Sequence, residues 1–254
     1  MASPEVLIFD LFGTLVFFDD SRVPTLEVAG RQVPVTVEGL PLLLDQLLPQ
    51  VGVDEFLREL RAAGVAVLEQ KRREGVELHT SVRFERALLA LGSNPAAANA
   101  GARRMATLHM ETLARAVVCP PGRDRLLARL SATHRLALLS NFDDGATGHR
   151  IVEAAGLAPF FEAIVISEEE GLRKPSRQIF ERTCRRLGAD AASCLYIGDT
   201  LVEDIQGATD AGLSALWIHP DADAASPAQA VLSDVEALPE WLEGRAVSGP
   251  DGAR

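Results

Sequence analysis

Cysteine is scarce and poorly placed for cross-linking, with only Cys119, Cys184 and Cys194 among 254 residues. An odd number without C-x-x-C or Cys/His ligand spacing argues against a disulfide framework or a zinc site and suits reduced thiols. Long apolar runs are also missing. The opening MASPEVLIFD has no basic segment ahead of its short apolar run, and no later stretch stays uncharged for the roughly 18 residues that a membrane span requires. A soluble, cytoplasmic protein with no membrane partner is therefore expected. Positive charge is in deficit, with 25 Lys and Arg against 36 Asp and Glu and a net charge of −11. That balance argues against nucleic acid as a partner, because phosphate backbones are bound through surplus Lys and Arg. Any phosphate this chain binds must meet positive potential built locally. Internal repeats and low-complexity tracts are absent.

What is present is an alternation of short apolar runs with helical patterns, the signature of a parallel sheet covered by helices. Five strands are predicted, at Val6–Asp10, Leu136–Ser140, Ala163–Ser167, Cys194–Gly198 and Ser214–Ile218. Between them lie amphipathic segments such as SRQIFERTCRRLG and VEDIQGATDAG. Residues from about 35 to 117 read as helix after helix with no strand-like run, hence as a helical insert. Ahead of it, TLEVAGRQVPVT alternates around Ala29-Gly30-Arg31 and suits a small hairpin. The spacing predicts a core over 1–18 and 118–243, a hairpin and helical insertion over 19–117, and a polar, Gly-rich disordered tail over 244–254.

In parallel sheets, ligands bind beyond the carboxyl ends of the strands. The first strand delivers Asp10 there, within VLIFDLFGTLV. The second delivers Ser140-Asn141, the loop after the third Lys174-Pro175, and the fourth Gly198-Asp199 with Asp204 close behind. Two carboxylates, a hydroxyl and a lysine at one rim outline a phosphate and divalent-metal site, since carboxylate oxygens suit Mg2+ while the ammonium, the hydroxyl and turn amides suit phosphoryl oxygens. Asp10 at its centre is then placed to act as a nucleophile. Each of these residues also has a plain structural reading. Asp10 could be a turn former, Ser140-Asn141 a helix cap, Lys174 a loop lysine, and Asp204 an acid at a helix N-terminus. KRREG at 71–75 and the pair Arg103-Arg104 read as solvated helix faces. Arg83, at the head of a helix after a loop, is the residue of the insert best placed to touch a substrate, although a surface role competes. The histidines fall singly, without ligand spacing.

Four segments in order, DLFGTL, LLSN, GLRKP and YIGDTLVEDIQGA, make the chain resemble the haloacid dehalogenase superfamily from residue 5 to about 243. The resemblance implies a Rossmann-like α/β core, with the helical stretch inserted after the first motif as a cap domain. It implies a hydrolase in which Asp10 attacks the phosphorus of a small phosphorylated substrate and forms an aspartyl-phosphate that water hydrolyses. Mg2+ would sit among Asp10, the main-chain carbonyl of Phe12 and Asp199, with Asp204 orienting metal-bound water or Lys174. Thr14, Ser140, Asn141 and Lys174 would hold the phosphoryl oxygens, with Ser140 and Lys174 joining Asp10 in the catalytic set.

Phe12 departs from the pattern. Most phosphatases of the family carry a second Asp two positions after the nucleophile, to protonate the leaving oxygen and activate water. Phe12 keeps the main-chain carbonyl and withholds the proton, a service typically worth about 10² to 10⁴ in rate. The family's 2-haloacid dehalogenases also have an aromatic residue there. They need no leaving-group proton and no metal, which makes a dehalogenase the alternative. Asp199 argues for the phosphatase, because a second acid beside Asp10 hinders metal-free attack. A non-catalytic phosphate-binding relic is a third reading, opposed by the intact Asp10. Asp19, Asp20, Asp143 and Asp144 are candidates for a relocated acid.

Overall fold

The computed structural model describes residues 4–221 and 224–247. In chain order the elements are β1 (Val6–Phe9), β2 (Phe17–Phe18), β3 (Thr25–Val28), β4 (Arg31–Pro34), α1 (Leu40–Leu47), α2 (Val53–Glu74), α3 (Ser81–Ala90) and α4 (Pro95–Ala116). There follow β5 (Val117–Val118), α5 (Arg123–Ser131), β6 (Arg135–Ser140), α6 (Gly145–Ala154), β7 (Ala163–Ile166), α7 (Ser167–Glu170) and α8 (Arg177–Leu187). The chain closes with β8 (Cys194–Gly198), α9 (Gly207–Asp210), β9 (Ser214–Ile218), β10 (Ala230–Leu232) and α10 (Leu238–Val247). Two compact units result, one comprising 1–17 and 118–254 and the other Phe18–Val117. Among the described residues, no helix is long and apolar enough to cross a membrane.

The first unit is an α/β fold around a six-stranded sheet in the order β10-β9-β8-β1-β6-β7. Every pairing in that sheet is parallel. Central strands of such a sheet have helices on both faces and become continuous apolar runs. Accordingly β1 is VLIF with all four residues fully buried, and β8 is buried throughout. Ile8, Tyr196, Phe180 and Ile205 belong to one core cluster beneath the carboxyl ends of the strands. The sheet has one strand more than the five expected. β10 is only three residues long and half-buried, too short and too weakly apolar to leave a periodic signal. The tail expected to be disordered over 244–254 needs correction as well. Residues 244–247 complete α10, a helix anchored by buried Leu238 and Leu242, while 248–254 lie outside the described residues.

The second unit contains the hairpin β3–β4 and helices α1 to α4. β3 and β4 pair antiparallel across Ala29-Gly30. Both turn residues have positive φ, the geometry that matches strand twist in a two-residue hairpin. α2 has Asp54 and Glu55 in its first turn and Lys71, Arg72 and Arg73 in its last, the polarity its macrodipole favours. α4 is capped by Asn94, whose side chain accepts from the Ala97 amide at 3.0 Å. Leu44, Phe56, Phe84, Leu88 and Met105 fill the core. The expectation of a solvated face over 71–75 fails at Lys71, which is buried and paired with buried Glu77 at 2.6 Å. Arg103 and Arg104 are exposed.

Candidate active site

β1 is the centre of the sheet, with β8 on one side and β6 on the other, so the strand order runs outward in both directions from its carboxyl end. A crevice forms at such a switch point. Asp10 lies one residue beyond β1, and its amide extends the ladder by donating to the Ile197 carbonyl at 2.8 Å. The chain then folds back tightly, the Gly13 amide donating to the Val16 carbonyl at 2.9 Å. Gly13 has φ +82°, and a Cβ there would overlap the Asp199 carboxylate. At Gly198 a Cβ would come within 2.5 Å of Asp204 Cγ. The two glycines are therefore required by the close approach of acids to backbone, not by turn chemistry alone.

Three strand ends, those of β1, β6 and β8, and the loop after α7 converge on a cavity of about 160 Å³ lined by Asp10, Phe12, Ser140, Asn141, Lys174 and Asp199, with Thr200, Glu203 and Asp204 completing it. Lys174 is 2 % exposed and uses all three ammonium hydrogens. It donates to Asp10 Oδ1 at 2.7 Å, to Asp204 Oδ1 at 2.6 Å and to the Tyr196 hydroxyl at 2.6 Å. The Tyr196 hydroxyl donates onward to the Leu139 carbonyl at 2.9 Å. Asp204 is held at its other oxygen by the Thr200 amide at 2.9 Å. This places Asp204 inside the cluster, carried on a widened helical turn, Leu201–Gln206, where a regular helix was expected.

The electrostatics are lopsided. Burial pushes the Asp10 carboxyl up to about 7, a rise that Lys174 opposes and the Asp204 charge reinforces. Burial and Asp204 push Asp199 up to about 6. Burial works against the Lys174 charge too, but the facing Asp10 and Asp204 carboxylates outweigh it and hold the ammonium above its ordinary range. Asp10, Asp199 and Asp204 each offer a carboxylate oxygen, and these oxygens lie within 4.8 Å of one another. One lysine does not balance three such acids, and a hard divalent cation held by oxygen donors fits the imbalance.

Not every expected ligand is used as expected. The Ser140 hydroxyl lines the cavity, is buried and has no hydrogen-bond partner, as suits an oxygen waiting for an anion. The Thr14 hydroxyl is likewise buried and unpartnered, but Thr14 does not line the cavity. The Asn141 side chain is already engaged: Oδ1 accepts from the Lys174 amide at 2.8 Å, and Nδ2 donates to the Lys174 carbonyl at 3.0 Å and to Glu203 Oε2 at 3.2 Å. Phe12 stacks on Phe142, ring centroids 5.0 Å apart, so an aromatic pair borders the nucleophile position. Of the candidate replacement acids, Asp144 caps α6 through the Thr147 amide, and Asp19 caps a short turn and pairs with Arg22. Neither Asp143 nor Asp144 lines the cavity.

Three residues of the site escape sequence reasoning. Tyr196 reads as an ordinary strand residue. Arg173 is masked by its neighbour Lys174, and Glu203 by Asp204. In the structure Arg173 pairs with Glu203 at 3.0 Å, and Glu203 lines the cavity. The doubled charges in RKP and VED were the available signal.

The family profile for haloacid dehalogenase-like hydrolases matches residues 4–212. Over 95 residues the chain is 41% identical to N-acylneuraminate-9-phosphatase of Mus musculus, an alignment covering 37% of this chain and 38% of that relative. The chain thus spans well under half the length of this curated relative. In fold it is similar to a 2-haloacid dehalogenase from Pseudomonas syringae pv. Tomato DC3000, at TM-score 0.65 and 22% identity over 96% of this chain and 99% of that one. It is also similar to a magnesium-bound HAD-hydrolase from Bacillus subtilis, at TM-score 0.61 and 23% identity over 95% and 100% of the two chains.

Proposed function

The chain belongs to the haloacid dehalogenase-like hydrolases, and from that premise we propose that it is a Mg2+-dependent phosphatase of a small phosphorylated metabolite, with Asp10 as nucleophile. The observation that carries the reading is the second acid, Asp199, seated over Gly13 so that its oxygen joins those of Asp10 and Asp204. A carboxylate pushed against a nucleophile of the same charge is a liability unless a cation belongs between them. Asp10, Asp199 and the main-chain carbonyl of Phe12 would hold Mg2+, which when bound supplies Lewis-acid neutralisation of phosphoryl charge. Asp204 acts through Lys174, since its two oxygens are taken by the ammonium and by the Thr200 amide.

The chemistry of the chain's own residues follows. Lys174 fixes the Asp10 carboxylate and sets a positive charge beside the phosphoryl group, while the Ser140 hydroxyl donates to one of its oxygens. An Asp10 oxygen bonds to phosphorus as the bond from phosphorus to the ester oxygen breaks. The departing oxygen takes its proton from solvent, because Phe12 has none to give. Water then attacks the phosphorus of the aspartyl-phosphate, which releases inorganic phosphate and restores Asp10. The relative named for phosphatase activity supports this reading.

A dehalogenase reading draws support from the stacked Phe12 and Phe142, an apolar wall suited to a substrate whose halide leaves without a proton. A single screen separates the two: phosphate esters and 2-chloropropionate, each with Mg2+ and after chelation. Phosphate release that requires Mg2+ is the expected result. Chloride release that persists in chelator would replace the phosphatase with the dehalogenase.

A further inference from the structure

The second acid, Asp199, is held through its main chain as well as by its seat over Gly13. It lies one residue beyond β8. The alternation of a strand turns residues 197 and 199 toward β1, and the Ile197 carbonyl accepts the Asp10 amide there at 2.8 Å. Two residues on, the ladder has ended, because the chain after Asp10 folds back and Phe12 bridges Val16. The Asp199 carbonyl therefore needs a donor from elsewhere. The Trp217 side chain of β9 supplies it, Nε1 donating to that carbonyl at 2.7 Å.

The same peptide group is gripped at its other end, where the Thr200 amide donates to Asp204 Oδ2 at 2.9 Å. A peptide is planar, so holding both its C=O and its N–H fixes the plane and restricts the rotation that aims the Asp199 side chain. The indole is itself fixed. Trp217 is 7 % exposed, belongs to the core cluster of the sheet unit and packs against the His219 ring, centroids 4.3 Å apart. Phenylalanine or leucine also fills a core position, but neither brings an N–H to a carbonyl at its edge.

We propose that Trp217 is a positioning residue for the metal-binding acid: its indole N–H, acting with Asp204 on the peptide between Asp199 and Thr200, aims the Asp199 carboxylate at the ion it shares with Asp10. The inference rests on the reading of Asp10 and Asp199 as Mg2+ ligands. It adds a residue that does not line the cavity.

The test is Mg2+ binding to the full chain without substrate, followed by calorimetry. Trp217→Phe keeps an aromatic ring in the core and removes the N–H. The dissociation constant for Mg2+ should rise at least about threefold, and about tenfold if Trp217 behaves as outer partners of metal ligands usually do. A second measurement keeps the indole. In Trp241→Phe, which leaves Trp217 as the sole tryptophan, Mg2+ should change the emission with the midpoint found by calorimetry. Asp199→Asn on that background should abolish the change. A side chain that merely fills the core gives no such signal, and should Trp217→Phe fail to fold, the emission decides alone. Mg2+ binding by Trp217→Phe within about threefold of wild type, or emission that ignores Mg2+ while the heat of binding is present, would overturn the role of Trp217 and leave the metal reading standing. Absence of any Mg2+ binding to the wild-type chain up to about 20 mM would overturn both.

Discussion

The two units bury charge on different terms. In the sheet unit, Asp10, Asp199 and Asp204 crowd around one ammonium, leaving negative charge in surplus at the carboxyl ends of the strands. In the helical unit, buried Lys71 meets buried Glu77 at 2.6 Å. A buried charge is tolerated only when it is paired or when its partner arrives from outside. On the proposed reading the first cluster receives a cation with its anionic substrate, whereas in the second a cation and an acid meet within the fold. The chain as a whole is acidic at −11, so global charge says nothing about either site.

Ways to break this contrast can be ranked by size. Asp10→Asn should have the largest effect, reducing turnover by at least about 10³-fold while the melting temperature holds or rises, because it removes the nucleophile and also one of the crowded charges. Turnover within tenfold of wild type would dismiss Asp10 as nucleophile. Lys174→Met comes next, with an expected loss of about 10² to 10³ in the chemical step and a steeper demand for Mg2+, since Asp10, Asp204 and the Tyr196 hydroxyl all lose their shared donor. Kinetics in a Mg2+ titration that match wild type would reduce Lys174 to a packing element.

Lys71→Met probes the helical unit instead. It removes the Lys71 ammonium from buried Glu77, which should cost about 3 kcal/mol of stability. Chemical denaturation measures it, and a loss below about 1 kcal/mol would mean that Glu77 is hydrated or paired elsewhere. Phe12→Asp returns to the sheet unit with a smaller and selective effect. Hydrolysis of alkyl phosphates should rise about 10- to 100-fold relative to aryl phosphates, because only the basic alkoxide needs a proton on departure. Without a base at position 12, attack of water on the aspartyl-phosphate should be slow enough to give the wild-type chain an initial burst of product, which the substitution should shrink. Equal treatment of alkyl and aryl esters by the wild-type protein, without a burst, would point to another proton donor lining the cavity. Gly64→Ala is the smallest: a gain of about 0.5 to 1 kcal/mol in stability, since the added methyl meets no neighbour and the helix gains propensity. A loss on thermal melting would show that the open space is not free for a side chain.

Much of this was legible residue by residue. Apolar runs ending in Asp10, Ser140 and Gly198-Asp199 declare both the strand and what its end presents, because strand period and burial are local properties of the chain. The Phe12 substitution, and the question it raises about the proton, likewise needed only the order of residues after Asp10. Tertiary structure alone decided the partners. Asp204 could have been a helix-end acid, and it is the three-way hold on Lys174, joining residues from two loops and β8, that places it inside the cluster. Asn141 looks like a phosphate ligand in sequence, yet its amide spans the Lys174 backbone, a contact available only once β6 and the Lys174 loop lie side by side. Lys71 sits in a run of exposed charges, and its burial follows from Glu77 folding back over it after the helix ends. A sequence displays each group's chemistry and its local period; which groups share one low-dielectric pocket, and so which charges are balanced and which are left for a ligand, depends on packing between segments far apart in the chain.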